Sequence, residues 1–203
     1  MIKLLYTTLL MLLLPLFIYC QQSIKESSTG KLFPSEIKIK NAEKEITLQL
    51  TGLTVRKKII FKVYGIAHYM QDPPSVKDEE AAFIAILQDG KAKQITMDFS
   101  RDVEAAKIKD AYIDGFKQHS SKDELQKLQP LINQFTGYFT KDVKENQQFI
   151  LQWLPGGTIS AVLNGETKPA ITDPIFARVL WTIWFGEDSI VDRDDLVNRM
   201  IGK

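Results

Sequence analysis

Residues 52–70, GLTVRKKIIFKVYGIAHYM, decide the fold. The stretch is dense in Ile, Val, Phe and Tyr, which suit a pleated, half-buried backbone, yet it carries the cations Arg56, Lys57, Lys58 and Lys62. We read 57–70 as one long strand, stopped where Gln71-Asp72-Pro73-Pro74 denies a ladder its donors. Period two places Arg56, Lys58, Ile60, Lys62, Tyr64, Ile66 and His68 on one face, and Lys57, Ile59, Phe61, Val63, Gly65, Ala67 and Tyr69 on the other. The second face is expected in the core; the first is a mixed face of cations, hydroxyl and aliphatics. Lys57, Lys58 and Lys62 read as solvated or edge-protecting charges. Arg56, at the strand entrance and on the parity of Tyr64, is a candidate for holding a carboxylate or enolate oxygen of a ligand lying over the sheet.

Upstream, Glu36–Ile39 and Ile46–Leu50 alternate with period two around turn-forming Asn41–Lys44, which predicts a hairpin. Downstream, Ser75 is the expected cap of a helix ending at Gly90, and Lys93–Phe99 alternates again as a strand. Ala105, Ile108, Ala111, Tyr112, Gly115 and Phe116 form one stripe of a helix over 103–118. A second helix, 122–135, is expected to break or kink at Pro130. Strands Gln148–Leu154 and Thr158–Leu163 are joined across Pro155-Gly156-Gly157. Asp173 caps a helix that starts at Pro174, runs apolar from Ile175 to Phe185 and stops at Gly186, and a last short helix covers Asp194–Met200. Strands separated by helix-containing connections indicate an α+β fold.

The first twenty residues stand apart: Lys3, an apolar run from Leu4 to Tyr19 interrupted by Pro15, then polar Gln21-Gln22-Ser23. That pattern is expected to be a secretory signal peptide, since the run is short for a membrane-spanning helix. Ile18-Tyr19-Cys20 is either a signal peptidase site leaving Gln21 first or a lipidation site at Cys20; bulky Tyr19 favours the former. The chain is thus expected to be exported, periplasmic or extracellular, with contact to a membrane only through the leader or a lipidated Cys20. Residues 21–33 are polar and read as a flexible tether, and 34–203 as one folded domain of a size that buries its own core.

Cys20 is the sole cysteine of the 203 residues, so past it there is no disulfide or thiolate chemistry. Beyond residue 20, 25 bases balance 25 acids, which argues against nucleic acid as a partner. His68 and His119 stand in no metal-ligand spacing, no nucleophile elbow accompanies them, and no glycine-rich loop joins a strand to a helix. Neither a metal nor a cofactor is expected.

The run Leu53–Tyr69 resembles the G-x-G-x-R-x-K-x-x-x-K-V-Y-x-x-A-L-Y signature of bacterial chalcone isomerase-like proteins. Further stretches similar to that family follow in order: Phe99-Ser100-Arg101-Asp102-Val103 before a helix, Trp153–Thr158, Leu163-Asn164-Gly165, and Phe176–Gly186. The resemblance spans about residues 36–201 and implies an open-faced β-sandwich, a large antiparallel sheet covered by a layer of helices. In true chalcone isomerases an arginine in the sheet–helix cleft steadies an oxyanion, while a threonine, a tyrosine and an asparagine assist. Arg56 matches the arginine; Tyr64 stands at the threonine position; Ala105–Lys107 offer no tyrosine, and Ile113 falls near the asparagine. Tyr112, later on the same helix, lies on the apolar stripe.

The resemblance therefore implies a non-catalytic protein that binds a small apolar carboxylate such as a fatty acid, with Arg56 as anion contact and Tyr64 beside it. Two alternatives stand next to it. One is an isomerase or intramolecular lyase acting on an α,β-unsaturated carbonyl compound with Arg56 as its catalytic residue; the other is a structural or interaction module of the cell envelope.

Overall fold

The computed structural model describes residues 22–41 and 44–202. The expected leader and Cys20 lie outside the described residues. Ten strands and four helices follow in the order β1 (Ser23–Lys25), β2 (Leu32–Pro34), β3 (Glu36–Asn41), β4 (Lys44–Lys58), β5 (Phe61–Met70), α1 (Glu79–Leu87), β6 (Lys93–Phe99), α2 (Ala105–His119), α3 (Lys122–Thr136), β7 (Gln148–Leu154), β8 (Thr158–Leu163), β9 (Glu166–Thr167), β10 (Ile171–Thr172) and α4 (Pro174–Phe185). One antiparallel sheet runs β10-β8-β7-β6-β5-β4-β3, with β9 on β8, and β1-β2 form a separate hairpin. The fold is α+β, as the alternation of periods implied.

The decisive stretch is not one strand. β4 continues through Arg56, Lys57 and Lys58, the chain reverses at Ile59-Ile60, and β5 returns from Phe61. Lys58 pairs with Phe61 and Arg56 with Tyr64, with a register shift between Arg56 and Lys57. Two β-branched residues carry no turn signal, and Ile59 adopts φ 59°, a region that such residues rarely enter. Arg56 and Tyr64 do share a face, but as opposed residues on neighbouring strands.

The expected core face is also corrected. The larger core lies on the face of Tyr64, Ile66 and Met70, beneath α4, and includes Trp153, Phe176, Trp181 and Trp184. Ala67 and Tyr69, on the other face, join a smaller core with Phe33, Ile39, Leu48 and Leu50. From Tyr64 onward both faces of β5 are therefore dry.

The second core explains why residues 21–33 are not simply a tether: from Ser23 on they belong to a folded hairpin. Ile24 pairs with Phe33, which is buried against the sheet. The Glu26 carboxylate, itself buried, accepts from the Ser28 and Thr29 amides and the Thr29 hydroxyl, closing the turn. These bonds hold its pKa low against the opposing effect of burial, which is the largest single influence on it. Gly65 allows the hairpin to lie close: a Cβ there would meet Lys31 and Phe33 at 3.3 Å.

Helix ends follow local chemistry with three departures. Asp78, not Ser75, caps α1 by accepting from the Ala81 amide at 2.9 Å, because Val76 is engaged in a parallel bridge with Ile201. α3 runs through Pro130, which is exposed, so the carbonyl left without its usual donor faces water. Residues 193–200 are successive turns rather than a helix, since Arg199 N–H is taken by Thr51 O and the 195–196 backbone lies on Gly52. α4 has the expected bounds, with Asp173 accepting from Phe176 N at 2.8 Å and Gly186 closing the last turn. Asp173→Ala is expected to cost about 1 kcal/mol, read as a lower midpoint in urea without a change in slope.

Candidate functional site

Two indole N–H groups, one turn apart on α4, reach down onto β5. Trp184 Nε1 donates to the Tyr64 hydroxyl and Trp181 Nε1 to His68 Nε2, each at 3.3 Å. Their spacing of three residues puts both on the sheet-facing side of the helix.

Around Tyr64 the space between sheet and helices is aromatic. Phe99 meets its ring edge-on at 5.4 Å, and Tyr112 of α2 packs on Phe139, Phe135 and Trp184. Burial raises the pKa of Tyr64, against smaller opposing effects of the Trp184 bond and the Arg56 charge. Burial, then the neighbouring Tyr64, lifts Tyr112 well above the ordinary tyrosine value. Both phenols stay protonated near neutral pH, so they are donors and not bases.

Arg56 sits at the rim of this cluster, half-buried. Its Nη1 donates to the carbonyls of Ile190 and Lys57, tying β4 to the loop after α4. Nη2 and Nε have no protein acceptor among the described residues. A planar guanidinium with its Nη2–Nε edge uncommitted can take a carboxylate in bidentate fashion.

The structure thus brings Arg56 and Tyr64 together, and adds Tyr112 and Trp184, which the sequence places on apolar helical runs. Their periodicity is that of core residues, and nothing in it announces that Trp184 supplies a hydrogen bond to Tyr64. A cleft of about 490 Å³ opens along the same strand between the N-terminal hairpin and the loop after α4, lined by Glu26, Leu53, Thr54, Val55, Ile190 and Asp195 among others. A pocket of about 30 Å³ lies by Tyr138 and Phe149. Neither is lined by Arg56 or Tyr64.

His68 is fully buried with both ring nitrogens engaged. Nε2 accepts from Trp181, so Nδ1 carries the proton and donates to Thr51 Oγ1 at 2.7 Å, and the Thr51 hydroxyl donates to Leu196 O at 2.9 Å. Burial first, and the Lys93 charge second, push the imidazole pKa well down. This relay joins α4, β5, β4 and the C-terminal turns. Among the described residues no group of three or more His, Cys, Asp or Glu is placed to hold a metal ion, and no helix is long and apolar enough to cross a membrane.

Comparison with solved structures finds this fold in the crystal structure of an Arabidopsis thaliana fatty-acid binding protein, with a TM-score of 0.69 and 16% identity over 88% of this chain and 97% of that one. No curated protein matches the sequence. The family model described as chalcone isomerase-like matches residues 26–202, which includes the N-terminal hairpin from Glu26 onward. With nearly all of the described fold inside that match, the chain belongs to the chalcone isomerase-like family.

Proposed function

We propose that this protein is an exported, non-catalytic binder of a small apolar carboxylate such as a fatty acid, held between sheet and helices with Arg56 as the anion contact. The observation that carries this reading is the opposition of Arg56 and Tyr64 at the rim of an aromatic layer, with guanidinium donors left over. The carboxylate accepts from Arg56 Nη2 and Nε, and the protonated Tyr64 hydroxyl is a second donor beside it. The acyl chain lies among Phe99, Tyr112 and Trp184 after these rings move apart. The fatty-acid binding protein of similar fold supports the ligand class, and the apolar run before Cys20 supports export, with lipidation at Cys20 the lesser alternative.

Catalysis is disfavoured on chemical grounds. An oxyanion contact without a base beside it does not move a proton, and the phenols nearest Arg56 are held protonated. A chalcone-to-flavanone assay is expected to give the uncatalysed rate.

One observation favours a different reading, a structural module of the envelope: the rings of Tyr112, Phe139 and Trp184 close over Tyr64. Mass spectrometry of lipids extracted from the purified protein separates the two. Co-purifying fatty acid is expected, reduced about tenfold or more in Arg56→Ala by loss of a charge-assisted contact. Absence of any lipid favours the module, and equal retention in Arg56→Ala removes Arg56 from the site.

A further inference from the structure

The three most adjacent large apolar side chains left in solvent are Ile59, Ile60 and Phe61, exposed by 88%, 79% and 54%. Ile59 and Ile60 form the tip of the β4–β5 hairpin, beyond the Lys58–Phe61 pair that closes it. Cations surround them: residues 56–62 contain Arg56, Lys57, Lys58 and Lys62 and no acid, and the Arg101 guanidinium lies 4.7 Å from the Phe61 ring. Lys57, Lys58 and Lys62 are exposed. Lys62 donates to the Ser28 carbonyl, and Lys57 and Lys58 make no ion pair among the described residues.

The backbone makes this tip unusual. Of its two central residues only Ile59 has a positive φ, the pattern of a type II′ turn, where glycine is the preferred first residue. Isoleucine there strains the turn and serves no core. Edge protection accounts for the lysines but not for two isoleucines and a phenylalanine held in water.

We propose that this hairpin tip docks on an anionic lipid surface, with Ile59, Ile60 and Phe61 entering the boundary between headgroups and acyl chains and Lys57, Lys58 and Lys62 meeting the phosphates. Apolar insertion and a basic flank are the two signals that together give stable membrane association. Three side chains on a narrow turn are a small area for a stable protein interface, whereas a bilayer accepts a narrow wedge. The charge complementarity selects anionic over neutral lipid. This inference does not depend on whether Arg56 holds a ligand.

The test uses the full chain carrying Cys20→Ser and Ile60→Cys, labelled at position 60 with an environment-sensitive fluorophore. A control carries Cys20→Ser and Ile84→Cys, labelled on the exposed side of α1. An inserted leader would bring both labels to a vesicle, so the difference in depth between them is the readout. On vesicles of phosphatidylcholine with phosphatidylglycerol, the label at 60 is expected to shift to the blue and be quenched by spin-labelled acyl chains, while that at 84 is unchanged. Phosphatidylcholine alone is expected to give no shift at either position. Lys57→Glu with Lys58→Glu is expected to raise the lipid concentration for half-response about tenfold or more. A label at 60 that stays in water on anionic vesicles overturns the proposal and leaves the tip to a protein partner; so does a response equal on neutral lipid or unchanged by the double Glu variant.

Discussion

Replacing Gly52 by alanine is expected to destabilise the protein by about 3 kcal/mol or more. A Cβ at this position would lie 2.1 Å from the Asp195 carbonyl oxygen and 2.4 Å from the Leu196 carbonyl carbon, both backbone atoms that no rotamer change can move away. Gly52 lies where β4 slips register against β5, next to Thr51, whose carbonyl accepts from Arg199 N–H and whose hydroxyl donates to Leu196 O. Past Gln49, β3 no longer pairs with β4. The C-terminal turns take over that edge, and Gly52 is the position that lets them approach. Pushing them outward would break the Thr51 bonds and disturb the loop whose Ile190 carbonyl holds Arg56. Thermal unfolding checks this, with a midpoint lowered by roughly 10 °C for a chain of this size. A midpoint within experimental error of wild type would show that the C-terminal segment is held elsewhere.

The C-terminal turns also mark where sequence patterns stop informing. Asp194–Met200 has the apolar spacing of a helix in Val197 and Met200, but tertiary bonds to Thr51 and the Val76–Ile201 bridge fix it as turns. Period alone resolved Lys93–Phe99, Gln148–Leu154, Thr158–Leu163 and Pro174–Phe185 to the residue, because each has an alternating or capped pattern bounded by strong punctuation. The β4–β5 turn was illegible for the opposite reason: Ile59-Ile60 has strand composition, and only the register of Arg56 with Tyr64 reveals the reversal. The N-terminal hairpin was hidden because its core contribution is mainly one residue, Phe33, in an otherwise polar stretch. At the candidate site Arg56 was legible as a cation without an obvious surface role. The donor above Tyr64 was not, since a tryptophan on an apolar stripe reads as core whether or not its N–H is used.

Stability is expected to rise with pH in two separate windows, each set by a buried base whose charged form the fold disfavours. His68 is the first. Its folded pKa is well below the ordinary value of 6.5, so as pH falls below 6.5 the unfolded chain binds a proton that the folded one refuses. Stability is therefore lost on acidification, beginning above the range where the carboxylates titrate. Protonation also turns Nε2 into a donor facing the donor of Trp181, which breaks the bond between α4 and β5 while Nδ1 goes on donating to Thr51. Lys93 is the second. Its ammonium is buried, donates to Gln88 O and lies 3.8 Å above the Trp153 ring; burial lowers its pKa to about 8, partly offset by Asp89. Between about pH 8 and the unfolded value of 10.5 the unfolded chain again holds the extra proton, so Lys93 contributes stability that rises with pH there, by about 3 kcal/mol in all, opposed from about pH 10 by the buried phenols of Tyr64 and Tyr112, whose raised pKa values leave the unfolded chain to lose its protons first. The bond to Gln88 O and the ring face favour the charged form and make this an upper figure. Urea denaturation from pH 5 to 10.5 measures both arms. Lys93→Met is expected to flatten the alkaline arm and, by removing a positive charge that repels protonated His68, to shrink the acid one. His68→Gln is expected to flatten the acid arm alone. An alkaline arm that persists in Lys93→Met would assign it to another group, and an acid arm that begins only in the carboxylate range would show that His68 accepts its proton without loss of the fold.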